Sequence, residues 1–159
     1  MDIKGFETHD HAHCIHTGLK LAEDICKARG VQLTPVRRRV LEILLTEHRA
    51  MGAYEVLDVL RAEGLGSQPP VAYRALDFLS KNGLIHRVER LNAFVACSAP
   101  DKDHAPTFLI CRSCSAIAET PAPRAARVVR NAAGDLGFDV ERMVIEAEGL
   151  CPACKDAAA

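Results

Sequence analysis

The stretch 69-PPVAYRALDFLSKNGLIHRVERLNAFVAC-97 changes its hydrophobic period part-way along. Ala72, Leu76 and Leu79 recur at helical spacing and Gly83 supplies a stop, which predicts a helix over 70–82. Beyond it "LIHRVER" (84–90) and "AFVAC" (93–97) are short and rich in strand formers. The two-residue connector Leu91-Asn92 between them predicts a β-hairpin. A helix running into a hairpin is the closing half of a winged helix-turn-helix, in which the last helix enters the DNA major groove and the hairpin is the wing. Tyr73 and Arg74 stand near the start of that helix, where side chains can reach base edges or phosphates. The competing reading is an ordinary amphipathic helix whose exposed arginine is simply solvated.

Upstream, three more helices are expected. "GLKLAEDICKAR" (18–29) carries Leu19, Ala22, Ile25 and Cys26 at helical spacing and stops at Gly30. Thr34 is a natural N-cap and Pro35 fits the first helical position of a second helix reaching about Glu47. "AYEVLDVLRAEG" (53–64) forms the third, ending at Gly64. In that helix Asp58 and Arg61 read as a solvated i,i+3 ion pair, or alternatively as a contact between neighbouring dimers on DNA. Ahead of all four, "HDHAHCIH" (9–16) places His9, His11, His13, Cys14 and His16 within eight positions. Its bland reading is a mobile tail that binds metal opportunistically, since ordering such a run costs backbone entropy. The sharper reading is that His9, His11, His13 or Cys14 supply an extra zinc site near the DNA-binding part.

Downstream, "SAPDKDHAP" (98–106) is polar and proline-containing and reads as a hinge. After it "TFLIC" and "AIAE" look like strands, "PRAARVVRNAAGDLGF" like a helix and "RMVIEAEG" like a strand, while the final "KDAAA" offers little to pack. The expected fold is therefore α+β: a flexible His-rich segment (1–17), a winged helix-turn-helix (18–97), a hinge (98–106) and a small α/β domain (107–159).

With 159 residues, 48% of them hydrophobic, the chain can bury a core, and its formal net charge of −1 says nothing for or against nucleic acid. No apolar run is long enough to span a membrane, and the start is acidic and His-rich rather than basic then apolar, so a cytoplasmic protein is expected. In a reducing compartment seven cysteines suggest metal or redox chemistry rather than disulfides. Cys111-Arg112-Ser113-Cys114 and Cys151-Pro152-Ala153-Cys154 are two C-x-x-C knuckles. Four thiolates complete a tetrahedral shell with no open position, the pattern of structural zinc. The redox alternative is a thioredoxin-like dithiol, but neither pair has the strand, dithiol and long helix that such chemistry uses.

Four further residues form a second candidate. His86 is in phase with Leu84 and Val88, and Cys97 with Val95, so each alone reads as an ordinary core residue. Together with His104 in the hinge and Glu119 beyond the first knuckle, they can meet only if the two domains fold against each other. One thiolate, one carboxylate and two imidazoles would balance a divalent ion, and the mixed donor set suits zinc better than iron.

The runs "LTPVRRRVLEIL", "AYEVLDVLR", "PPVAYRALDFLSKNGLIHRVE", "FVAC", "FLICRSC" and "GLCPAC", covering roughly residues 19 to 154, resemble the ferric uptake regulator family and most closely its zinc-sensing branch. The resemblance implies no enzyme but a homodimeric zinc-responsive repressor of zinc uptake genes, bound to palindromic double-stranded operator DNA by its winged helices. One or two dimers per operator are both compatible with it. It implies two zinc ions per monomer, a structural one on Cys111, Cys114, Cys151 and Cys154 and a regulatory one on His86, Cys97, His104 and Glu119. It further implies that Tyr54, Tyr73 and Arg74 face DNA and that Arg37 contacts phosphate. Two departures stand out. Val71-Ala72 replace the family's usual Thr-Val, removing a hydroxyl, and "DKDHAPTFLI" offers only His104 where iron-sensing members carry a His-rich stretch. The sister reading is a sensor of iron, manganese, nickel or peroxide.

Overall fold

The computed structural model describes residue 6 and residues 11–46 and 49–157, apart from the side chain of His11. These residues divide into two compact units, one within 8–101 and the other within 102–159 together with residue 6.

The first unit contains α1 (His11–Arg29), α2 (Pro35–Thr46), α3 (Ala53–Ala62), α4 (Pro69–Lys81), β1 (Ile85–Val88) and β2 (Ala93–Ala96). Its core draws one stripe from each helix: Leu19, Ala22 and Cys26 from α1, Val40, Leu41 and Leu44 from α2, Val56, Leu57 and Leu60 from α3, and Ala72, Leu76 and Leu79 from α4, joined by Leu84 and Ile85. The helix expected at residue 18 starts at His11 instead. Residues 11–17, expected to be flexible, form its first two turns because Ile15 continues the Leu19, Ala22, Cys26 stripe and packs against the core. His9 lies outside the described residues.

Thr34 caps α2 as expected: the Arg38 amide donates to its carbonyl at 2.8 Å and the Arg37 amide approaches its hydroxyl at 3.4 Å. At the start of α3, Glu55 turns back to accept from the Gly52 amide at 2.8 Å and pairs with Arg49 at 2.8 Å. The Gly52 amide first, and Arg49 second, hold the Glu55 carboxyl below its ordinary range. A depressed carboxylate pKa stabilises the fold above its unfolded value and loses that contribution as pH falls through the folded value. Glu55→Gln is therefore expected to lower stability at neutral pH by less than about 1 kcal/mol, given its exposure. Urea unfolding of the two proteins should converge once the medium is acid enough to protonate the wild-type carboxyl.

Helix α4 ends where Gly83 adopts φ 69° and the Leu84 amide reaches back to the Leu79 carbonyl at 2.9 Å. The chain then enters the hairpin, with Ile85 opposite Ala96 and Val88 opposite Ala93. The connector is longer than the expected two residues: a 3-10 turn over Glu89–Leu91 precedes Asn92, which takes the left-handed conformation at φ 47°. Met51 adds an isolated bridge to Phe94, which makes the wing's sheet one residue wider than the sequence suggested.

The second unit holds β3 (Thr107–Cys111), β4 (Ile117–Glu119), α5 (Pro123–Asp135), β5 (Ile145–Gly149) and α6 (Pro152–Ala157). The sheet order is β4-β3-β5, with β3 antiparallel to β4 and parallel to β5. Phe108, Ile110, Ala118 and Ala126 are buried within it. Three boundaries differ from expectation. Helix α5 stops at Asp135 because Gly137 turns left-handed at φ 69°, and β5 begins at Ile145, where pairing with Thr107 starts. The end expected to be unstructured contains α6, seeded by the knuckle itself, since the Lys155 amide donates to the Cys151 carbonyl at 2.9 Å.

Candidate metal centre and nucleic-acid surface

The parallel register of the second unit places Cys111 beside Gly149, so the strand ends that lead into both knuckles emerge together. The sulfurs of Cys111, Cys114, Cys151 and Cys154 consequently lie within 4.8 Å of one another, and Cys114 and Cys151 face each other across the two pairs at 3.8 Å. One shared cluster is not the pair of separate dithiols that redox chemistry would use. Cys111 and Cys151 are buried, whereas Cys114 is exposed and Cys154 half-buried. Backbone amides of Cys151 and Cys114 aimed at its sulfur hold the Cys111 thiol down at about 6. For Cys154 a hydrogen bond with Ser113 works downward, but the sulfurs of Cys151 and Cys114 outweigh it and push the thiol up to about 12. Deprotonation of Cys111 is thus assisted and that of Cys154 is opposed by the sulfurs beside it, an opposition that a divalent cation at the centre would relieve. Four convergent sulfurs with amide donors behind them fit zinc.

The other four candidate ligands fall as two pairs, one in each unit. In the first, His86 on β1 is half-buried and Cys97, just past β2, is buried, and their ligand atoms lie within 4.8 Å. In the second, His104 Nε2 stands 2.8 Å from Glu119 Oε1 on β4, while His104 Nδ1 stands 2.8 Å from the Lys102 carbonyl. Burial works against a charged His104, but Lys102, Glu119 and Asp103 prevail and raise its pKa. Each pair offers half of a tetrahedral shell.

On the first unit, Tyr54 of α3 and Tyr73 of α4 are 60% and 49% exposed, and their rings meet edge to face with centroids 6.5 Å apart. Arg74 is exposed beside Tyr73. Two large aromatics left in solvent while the leucines of the same helices are buried mark a surface rather than a core. Arg37 on α2 is half-buried: its guanidinium lies 3.7 Å from the centre of the Phe78 ring, and it donates to the Gln32 carbonyl at 2.7 Å. Sequence reasoning missed Phe78 as the plate on which Arg37 rests, although an aromatic two turns into α4 could have suggested it. Asp58 and Arg61 pair within α3 at 3.2 Å, and Arg61 also donates to the Ser67 carbonyl at 2.9 Å. Val71, at the first departure from the family pattern, sits against Gly66, where an added Cβ would come within 2.7 Å of it.

Helices, a hairpin wing and a small sheet unit gathered at four thiols define a two-unit winged-helix regulator. The chain belongs to the ferric uptake regulator family, whose model matches residues 28–148. It is 41% identical over 137 residues to the zinc uptake regulation protein of Escherichia coli, covering 86% of this chain and 80% of that one. At 26% identity over 136 residues it also resembles the peroxide operon regulator of Bacillus subtilis, covering 86% and 92%. Among solved structures, a zinc uptake regulator complexed with zinc and DNA superposes with a TM-score of 0.87 at 39% identity, covering 91% of this chain and 97% of that one. The holo form of the regulator XcZur gives 0.81 at 38% identity, covering 90% and 99%.

Proposed function

We propose that this chain is a zinc-responsive transcriptional repressor that binds palindromic operator DNA as a homodimer and controls zinc uptake genes in the cytoplasm. The observation that carries the zinc reading is the split donor set: His86 with Cys97 on one unit and His104 with Glu119 on the other, neither pair sufficient alone. One ion taking both pairs would fix the wing relative to the sheet unit. Without it the DNA-binding units of a dimer would sample many spacings, of which few match two operator half-sites, so zinc and DNA would bind with reciprocal coupling. The Cys111, Cys114, Cys151 and Cys154 cluster would hold the second, structural zinc of each monomer. In that position zinc supplies charge and tetrahedral geometry, and the chain supplies the orientation of its donors.

The dimer reading is supported by apolar surface on the second unit. Val128 is 66% exposed, Leu136 86% and Phe138 65%, and among the buried residues α5 contributes only Ala126. A helix with so little of itself covered calls for a partner. A helix pair reading bases through Tyr54, Tyr73 and Arg74, with Arg37 on phosphate, accounts for the exposed aromatics of the first unit. Arg74→Ala is expected to cost about 1–3 kcal/mol of operator binding and to relax sequence preference. Arg37→Ala should weaken all duplexes alike and lower the salt slope by about 1. Arg37→Ala should also destabilise the unit by ~0.5–1 kcal/mol, through loss of the Phe78 contact.

The experiment is binding to the protein's own promoter region at fixed salt across buffered free zinc, with iron(II) in parallel. Steeply rising affinity with zinc alone is expected. Activation by iron(II) in place of zinc would point to the sister sensor, and no response to either metal would overturn the reading.

A further inference from the structure

We propose that His13 and His16 form an additional zinc-binding site, a two-imidazole chelate on the outer face of α1. Four of the chain's 7 histidines stand between positions 9 and 16, a density that neither the structural nor the regulatory site uses. The helix sorts them. Ile15, Leu19, Ala22 and Cys26 form the stripe that packs on the core, so the helix is held on a fixed scaffold down to its first turns. His13 and His16, three residues apart, lie on adjacent turns of the outer face, with Cβ atoms about 5–6 Å apart. Both are exposed, and neither ring has a hydrogen-bond or ion-pair partner among the described residues. Cys14 is half-buried and turned about 100° away from His13, so it does not join them.

Two neutral imidazoles on one helix face can each bring a nitrogen to about 2.0–2.1 Å from a single zinc ion, leaving two positions to water. Lys20 shares this face, but its charge is countered by Asp24 at 3.6 Å. The chemistry selects a borderline divalent cation: imidazole suits zinc, copper and nickel and does not select calcium or magnesium. With half the shell filled by water, the site would be weaker than a four-ligand one and open to rapid exchange. It would fill only after the others, which makes it a loading or overload site on the DNA-binding unit rather than the sensor.

The test is a zinc titration of the full-length dimer, started with the two tighter sites filled, by equilibrium dialysis and by NMR of the histidine ring protons. The wild type is expected to take up one further zinc per chain, with the His13 and His16 rings shifting together. Because a chelate gains from the second ligand being already in place, His13→Ala and His16→Ala should each weaken that uptake on the order of 100-fold. The double variant should be no worse than either single one. Half the effect in each single variant would mean isolated surface histidines and overturn the chelate, as would unchanged uptake in the double variant. Both variants replace exposed residues off the core stripe, so unchanged thermal unfolding is expected and separates lost binding from lost fold.

Discussion

Replacing Cys97 by serine is expected to abolish zinc-dependent operator binding while leaving a folded dimer that retains one zinc per chain. Cys97 is the only thiol in the proposed regulatory set, and it closes β2 through an amide that donates to the Leu84 carbonyl at 3.0 Å. That backbone bond survives the substitution, and serine is close in volume, so the first unit should keep its core. What is lost is the anionic soft donor, without which two imidazoles and a carboxylate hold zinc poorly. If metal and DNA are coupled by about 1–3 kcal/mol, the affinity gain of roughly 5- to 150-fold on adding zinc should vanish. Operator titrations with and without zinc, alongside metal content and sedimentation, read all three quantities. An unfolded Cys97→Ser protein would reassign the residue to the core, and retained zinc response would remove it from the regulatory set.

Cys111→Ser should fail in the opposite way. Its sulfur is buried at the end of β3, faced by the backbone amides of Cys151 in the opposite knuckle and of Cys114 in its own, and it shares the cluster with Cys114, Cys151 and Cys154. Structural zinc in small domains is worth about 10–16 kcal/mol of apparent binding free energy, as much as the whole stability of a typical domain. Phe108, Ile110, Ala118 and Ala126 make too small a core to replace it. The variant is expected to lose the ordered sheet of the second unit, the dimer and the structural zinc together. Circular dichroism, sedimentation and metal content would check this, and a stable zinc-free dimer would refute the structural assignment.

The legible part of this molecule was its periodicity and its cysteines. Leu76 and Leu79 followed by the alternation in 84–97 specify a helix and a hairpin because one buried stripe and one pleated pair satisfy them together. The four-sulfur cluster was legible because C-x-x-C fixes two donors locally. That both knuckles meet depends on β3 and β5 pairing in parallel, which no local signal encodes. Residues 11–17 were misread because their histidines dominated the composition, whereas the single apolar anchor Ile15 decides that the helix continues. The Met51 bridge to Phe94 was hidden because it is set by a tertiary neighbour, whereas α6 rests on a local bond from the Lys155 amide to the Cys151 carbonyl that the polar tail composition masked. Tyr54 and Tyr73 belong to the same lesson, since only the packed helices reveal that both rings are left outside.

The parallel pairing of β3 with β5 also sets a clock. A strand pair separated by β4 and α5 closes a long excursion of chain, and such non-local contacts form slowly and part only when the unit opens. An ion held by Cys111 and Cys151 at the end of that pairing would therefore leave at the rate at which the unit unfolds, not at the rate at which ligands exchange. Free zinc could rise and fall many times within that interval. The same element could then serve one chain both as a permanent part and as a signal, kept apart by lifetime rather than by chemical identity.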